Sequence, residues 1–583
     1  MTDPAMAQRA AADPNVSAWV AANAGSGKTR VLTERVARLL LEGARPERII
    51  CLTYTKAAAA EMQNRLFGTL GGWAMMDDGP LREALLALTG RDFETTPTKP
   101  GAPPRTLSDA RRLFAMALET PGGLKIQTIH AFCDSLLRRF PLEAGAPPEF
   151  RVMDDREKTA LIDKLLDEMS GDAAFLNLAA LMDESTLRDT AVEIIGSRDL
   201  FPPDVSDGVY CDAFGTPAPP DRETALIGAM ARLDVDALSR MIEAWSQGSA
   251  TDQTKGTRLS LAQDQGLAPL ADELVAAMFT KDLTPRKSHA TKGAKAAEPD
   301  ADPLCASLEA TAADAIEARN AAVAADRSLC LARFGGALVE RYRAAKAAAA
   351  LLDFDDLVGK ARDLLTRSDM AAWALYRLDG GVDHVLVDEA QDTSPAQWDV
   401  IRAITGEFTS GEGAREAGRT TFVVGDEKQS IYSFQGAAPG EFDAKRGLFA
   451  EDWRAVDREM AEVALEASFR SAPLILDVVD RVFAGERAKG LTASGIPLHH
   501  TAFHAEKAGR VELWPMVEPL PAPKQPDRWE PIDAVPPDNP RARVSDQVAT
   551  RIADMIEVKT PLPGGGRAVQ PGDILILLQK FAN

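Results

Sequence analysis

Asn23-Ala24-Gly25-Ser26-Gly27-Lys28-Thr29 is the stretch that decides the fold. Two glycines, a lysine and a hydroxyl at this spacing form a loop whose backbone N–H groups curl around phosphate oxygens. Such a loop needs a strand before it and a helix after it. Val16 to Ala22 is short and mostly apolar, which reads as a buried strand. After Lys28, apolar residues fall at Val31, Leu32, Val36, Leu39 and Leu40, which is helical spacing. One departure stands at the first position, where Ala22 replaces the usual glycine, and a chance glycine-rich turn is the competing reading. On the leading reading, Lys28 reaches the β- and γ-phosphates of ATP and the Thr29 hydroxyl ligates Mg²⁺.

Two further segments follow the same chemistry. Val382 to Val387 is an apolar run, broken by Asp383 and His384, that ends in Asp388-Glu389-Ala390-Gln391-Asp392. Acids at the carboxyl end of a strand sit where ligands bind in open α/β sheets. Asp388 is the candidate Mg²⁺ ligand and Glu389 the candidate base that orients water. Taken alone, the same pair also reads as two solvated acids. Gly425-Asp426-Glu427-Lys428-Gln429-Ser430-Ile431-Tyr432 comes next, with Phe434 close behind. Aromatic rings there suit stacking on bases of any sequence, since every base has a π-face. Core packing is the alternative for each ring.

The set of motifs resembles a superfamily 1 DNA helicase of the UvrD/RecB type, and within it the AddA helicase–nuclease proteins of bacterial double-strand-break repair. Leu52-Thr53-Tyr54-Thr55 with Ala57 to Met62, Gln127-Thr128-Ile129-His130-Ala131-Phe132-Cys133, Leu352-Asp353-Phe354-Asp355-Asp356-Leu357 and Ala467-Ser468-Phe469-Arg470-Ser471 carry the likeness. It implies an α/β fold: a RecA-like parallel sheet with an inserted helical accessory domain and the start of a second RecA-like domain. It further implies that Gln8 reads the adenine edge, and that Arg30 and Phe469 sandwich the adenine ring. Ala22, Asn23, Ala24, Gly25, Ser26 and Gly27 would cradle the phosphates with Lys28 and Thr29. Gln429 is implied as γ-phosphate sensor and Arg470 as the arginine finger. Thr53, Tyr54, Thr128, His130, Tyr432 and Phe434 fall at or beside positions that contact single-stranded DNA. Gln435 departs from the family, which often has arginine there.

Composition sets bounds. Among 583 residues, 66 are basic and 87 acidic, a net charge of −21, so a DNA-binding surface must be a local positive track. Lys281, Arg286, Lys287, Lys292 and Lys295 form one basic stretch, which reads either as a solvated loop or as a contact to duplex DNA. Cys51, Cys133, Cys211, Cys305 and Cys330 show no zinc spacing, and Cys51 and Cys133 read as core residues. No apolar run is long enough to span a membrane, and no cationic leader precedes an apolar core, so a cytoplasmic location is expected.

Along the chain, residues 1–140 and 351–465 carry the nucleotide and strand motifs and are assigned to the first RecA-like domain. Residues 141–350 read as a helical accessory insertion, and residues 466–583 as the start of a second RecA-like domain. Residues 71–123 read as a loop-bearing insertion, Val548 to Ile556 as a helix, and Ile574 to Leu578 as a buried strand. Relatives continue with the rest of the second motor domain and, in AddA, a nuclease domain. This chain is therefore expected to be a fragment or a broken frame. The expected function is 3′→5′ DNA translocation and unwinding in recombinational repair, on single-stranded DNA or duplex ends, beside an AddB-like partner. A UvrD-like repair helicase without nuclease is the alternative enzyme. A non-catalytic nucleotide- or DNA-binding fragment is the alternative from another class.

Overall fold

A computed structural model describes residues 4–92, 94–96, 105–121, 123–367, 370–379, 381–409, 418–431, 438–491, 499–519, 539–562 and 566–578. The chain divides into two compact units, Met1–Pro148 with Asp355–Asn583, and Glu149–Phe354.

The first unit is built on a six-stranded sheet in which every pair is parallel. Its strands are β1 (Ser17–Ala22), β2 (Ile49–Thr53), β3 (Lys125–Thr128), β4 (His384–Val387), β5 (Thr420–Gly425) and β6 (Met460–Leu465). The spatial order is β3-β2-β4-β5-β1-β6. Parallel strands need crossovers, and helices supply them on both faces, as in doubly wound sheets. β1 shows why both faces are dry. Ala18, Val20 and Ala22 face one core, shared with Val31, Leu32 and Leu39 of the Lys28–Leu41 helix and Met62 and Leu66 of the Lys56–Met75 helix. Trp19 faces the other way and stacks on Trp398 at 5.7 Å, with Phe442 at 5.0 Å and Phe449 at 5.8 Å. Alternation along one strand thus anchors two opposite helical layers.

Two expectations need correction. Residues 71–123 are not mainly loop, because Asp78–Thr89 and Leu107–Leu118 are helices. Leu81, Leu85, Leu107 and Leu113 enter the main core, and Thr106 with Asp109 forms a capping box. The glycine, proline and threonine content masks an i, i+4 apolar spacing. Residues 574–578 form no strand, and Leu575 and Leu577 are 81% and 83% exposed. A β-branched and leucine-rich run becomes a buried strand only when neighbours pair with it, and none of the described residues does. The helix expected at Val548 to Ile556 runs over Pro540–Glu557.

The second unit is helical. Its spine is the 48-residue helix Ala301–Ala348. Two separate cores form along it. One gathers Met241, Trp245, Leu270, Leu274, Leu308 and Ala312, and the other Ile162, Leu165, Ile194, Phe334, Leu338 and Tyr342. The short parallel pair Arg151–Val152 and Leu351–Leu352 closes the unit beside its chain crossings. Asp353 follows directly and is almost fully buried. It accepts from Arg198 Nη1 at 2.7 Å, Lys346 Nζ at 2.7 Å and the Tyr342 hydroxyl at 2.9 Å. Burial pushes this carboxyl up, but the hydrogen bonds and charge of Arg198, with Lys346, outweigh it and hold it well below the usual range.

That balance fixes a pH dependence. A depressed carboxyl stabilises the fold above its ordinary value of 3.8 and loses that stabilisation as pH falls toward its lower folded value. Asp353→Ala removes the buried carboxylate that Arg198, Lys346 and Tyr342 share and is expected to cost about 3–5 kcal/mol at pH 7. The gap from the parent chain should narrow as pH drops below about 4. Urea unfolding followed by far-UV circular dichroism measures both. An unchanged midpoint at pH 7 would show that the cluster does not stabilise the unit.

Candidate nucleotide site and strand edge

Parallel pairing sends the loops after β1, β4, β5 and β6 out of one edge of the sheet, and the candidate residues collect there. The loop after β1 turns through Gly25 at φ +74° and Gly27 at φ +88°, backbone that L side chains rarely adopt. Gly27 caps the helix that begins at Lys28, so the loop delivers N–H groups to a helix N-terminus. The Ser26 hydroxyl is buried with no hydrogen-bond partner among the described residues. An orphaned donor inside a glycine cradle fits a phosphate. Gln8, on the helix Pro4–Ala11, donates its Nε2 to the Ser26 carbonyl at 2.8 Å.

The acidic loop after β4 closes on the same point. Lys28 Nζ pairs with Glu389 Oε2 at 2.6 Å. Glu389 takes a left-handed backbone conformation at φ 48°, which turns the chain sharply after Asp388. Burial, and then the charge of Glu389, push the Asp388 carboxyl up to about 6. Burial and Glu389 likewise push Asp392 up to about 6. Thr29 and Asp388 supply the oxygen donors that Mg²⁺ prefers, and the ion would neutralise phosphate charge there.

Gln391 and Asp426 lie within the sequence motifs, yet the motifs alone assign them no role. Gln391 Nε2 donates to Glu389 Oε2 at 2.8 Å, and its Oε1 accepts from Asp426 N at 2.8 Å. Gln429 Nε2 in turn donates to Asp426 Oδ2 at 2.5 Å. A continuous line of contacts therefore runs from Lys28 through Glu389, Gln391 and Asp426 to Gln429. Gly425 makes it possible. A Cβ there would stand 2.8 Å from both Gln391 Oε1 and Phe442 Cε2. The signal available in the sequence is a glycine at a strand end beside two polar runs.

The segment after β6 lies against the phosphate loop. Asn23 N donates to the Leu465 carbonyl at 2.9 Å and Phe469 N to the Gly25 carbonyl at 2.8 Å. Asn23 Nδ2 reaches the Glu466 carbonyl at 3.2 Å. A Cβ on Gly25 would meet Ser468 Oγ and Arg470 Cβ at 2.7 Å. Arg470 is exposed beside the loop. Arg30 pairs with Glu34 at 2.7 Å, and the Phe469 ring packs on Phe503 at 4.4 Å.

The candidate DNA contacts occupy a second stretch of the same edge. Thr53 and Thr128 are register partners at the ends of β2 and β3. Thr53 Oγ1 donates to the Thr55 carbonyl at 3.0 Å, and Thr128 caps the Ile129–Arg139 helix by accepting from Ala131 N. Tyr54 and His130 follow them, both half-buried. Burial lowers the His130 pKa against the opposing pull of Asp355. Tyr432, Phe434 and Gln435 lie outside the described residues. Of the basic stretch, Lys281, Lys287 and Lys292 are exposed, while Lys295 pairs with Asp302 at 2.5 Å. Among the described residues no group of acids, histidines and cysteines could hold a metal, and no helix is long and apolar enough to cross a membrane.

Comparison with known proteins points the same way. The sequence model of the family described as UvrD/REP helicase N-terminal domain matches residues 4–450. An ATP-dependent helicase/nuclease subunit of Latilactobacillus sakei is 26% identical over 516 residues, covering 80% of this chain and 53% of that protein. The proteins of the same name from Desulforudis audaxviator and Bacillus velezensis are each 28% identical, covering 80% of this chain and 38% of theirs. The chain thus spans about half or less of the relatives it matches.

The raised Asp388 carboxyl has a measurable sign. Its folded value of about 6 exceeds the ordinary 3.8, so ionisation costs stability as pH climbs between them, and the full cost stands above 6. With divalent cations chelated, Asp388→Asn should stabilise the chain by up to about 3 kcal/mol at pH 7 and about 1 kcal/mol at pH 4.5. Urea midpoints at the two pH values measure it. A variant less stable at pH 7 than at pH 4.5, relative to the parent, would contradict it.

Proposed function

The chain belongs to the UvrD/REP helicase family, and from that premise we propose that it drives single-stranded DNA with ATP as the motor part of a helicase–nuclease. Its coarse activity, ATP-dependent helicase, follows from the family. The proposal adds 3′→5′ movement on single-stranded DNA or duplex ends, a role in double-strand-break repair, and a partner protein of the AddB kind. Three curated relatives named as ATP-dependent helicase/nuclease subunits support it.

The observation that carries the reading is the line from Lys28 to Gln429. Lys28 at rest is held by Glu389. A γ-phosphate competes for the same ammonium, since phosphate offers more negative charge and more acceptors. Glu389 is then free to accept a hydrogen bond from water. Gln391 keeps that carboxylate oriented, and its oxygen ties the move to Asp426 and Gln429. The residues after Gln429 lead to Tyr432 and Phe434, the candidate stacking rings. Bound Mg²⁺ supplies charge neutralisation between phosphates, with Thr29 and Asp388 as its protein oxygens. Arg470, brought to Gly25 by the backbone contacts around Phe469, adds a fixed positive charge beside the phosphate loop. Thr53, Tyr54, Thr128 and His130 offer the strand edge for DNA.

In the whole protein, Lys28→Ala should abolish ATP hydrolysis while the chain still folds, because no core volume is removed. Glu389→Gln should retain ATP binding and lose turnover. Steady-state ATPase with single-stranded DNA, paired with nucleotide binding, separates the two. Normal turnover in Lys28→Ala would remove the phosphate-loop role, and failure of Glu389→Gln to bind ATP would make Glu389 structural.

Tyr54→Ala should weaken single-strand affinity by about 1–3 kcal/mol without base preference. Binding to several homopolymers at one salt concentration tests it. No loss, or loss on one base alone, would assign Tyr54 to packing.

A further inference from the structure

Arg35 sits two turns into the helix that follows the phosphate loop, and its side chain is wholly buried. No carboxylate accepts from its guanidinium. Nη1 instead donates to the carbonyls of Ala11 at 3.0 Å and Asp13 at 2.5 Å, and Nη2 to that of Val16 at 2.5 Å. The guanidinium also lies 5.0 Å over the Phe422 ring. One turn further, Arg38 Nη1 donates to the Arg9 carbonyl at 3.0 Å. A buried guanidinium is costly to place, and burial pushes the Arg35 pKa down to about 9. Its planar fork holds several acceptors in fixed geometry, which lysine cannot do.

All four carbonyls belong to the Pro4–Ala11 helix or to the segment joining it to β1, and that helix carries Gln8. The phosphate-loop helix therefore grips the backbone that carries Gln8. The Gln8 amide is buried and donates its nitrogen to the Ser26 carbonyl. A carbonyl accepts only, so the flipped amide would set oxygen against oxygen. With that flip excluded, Gln8 offers its oxygen as acceptor and keeps one N–H to donate. Adenine presents an N6 donor beside an N7 acceptor, which suits such an amide. Guanine presents acceptors at both O6 and N7.

We propose that Arg35, assisted by Arg38, is a positioning residue for base selectivity: it fixes the Gln8 segment so that Ser26 locks the amide in its adenine-matching orientation. This rests on the reading of Gln8 as the residue that meets the base.

The test compares binding of fluorescent ATP and GTP analogues to residues 1–583 in the parent chain, Gln8→Ala, Arg35→Lys, Arg38→Met and the Gln8→Ala/Arg35→Lys double variant. Arg35→Lys should lower the ATP-over-GTP affinity ratio roughly 3- to 10-fold, the worth of about one hydrogen bond. Arg38→Met should lower it less. The double variant should match Gln8→Ala, because Arg35 acts through Gln8. Loss of ATP and GTP affinity in equal proportion, with the ratio kept, would make Arg35 merely structural and overturn the proposal. If Arg35→Lys fails to fold, the partly exposed Arg38→Met carries the test, and an unchanged ratio there overturns it. A ratio kept by Arg35→Lys but lost by Gln8→Ala refutes the proposal alone. A parent chain without preference for ATP, or Gln8→Ala that keeps it, refutes the base-reading role of Gln8 and the proposal with it.

Discussion

Parallel pairing of six strands is the constraint on which the site depends. Because all strands point one way, the loops after Ala22, Val387, Gly425 and Leu465 leave a common edge. Residues hundreds of positions apart then meet within hydrogen-bond distance, as Lys28 and Glu389 do. The dry layers on both faces hold the edge still. Trp19 against Trp398 on one side and Val20 among the aliphatic helices on the other leave β1 little freedom. A loop that must present N–H groups to phosphate gains from such a mount, since preorganised donors need no rearrangement when charge develops.

Lys28 and Glu389 have side chains only 10% and 33% exposed. A pair so placed stabilises weakly on balance, since desolvation offsets much of the Coulomb gain. Its value lies in being exchangeable. Asp388 and Asp392 are both pushed toward neutrality, first by burial and then by the charge of Glu389. Gln391 and Gly425 add a steric condition, since only a residue without Cβ admits the amide beside Phe442.

Legibility in the sequence followed the range of each interaction. The phosphate loop and its flanking strand and helix could be read locally, because glycines with positive φ and a helix start leave a mark within seven residues. The acids after Val387 were readable for the same reason. Contacts across the chain were not. Nothing near Gly25 announces Ser468 and Arg470, and nothing near Arg35 announces the carbonyls of Ala11, Asp13 and Val16. Composition misled at residues 71–123, where helix spacing lay beneath turn-forming residues. It misled again at residues 574–578, where apolar content without a pairing strand does not bury itself.

The long helix Ala301–Ala348 has a mechanical consequence. At about 1.5 Å per residue it is a rod roughly 70 Å long. Two separate cores clasp its two halves, so each half carries its own small bundle. The chain returns to the first unit just beyond the rod's C-terminal end, after Asp353. The buried Asp353 cluster ties the strand after the rod to the rod's C-terminal turns. Bracing each half with its own core keeps so long a helix from depending on any single layer of contacts.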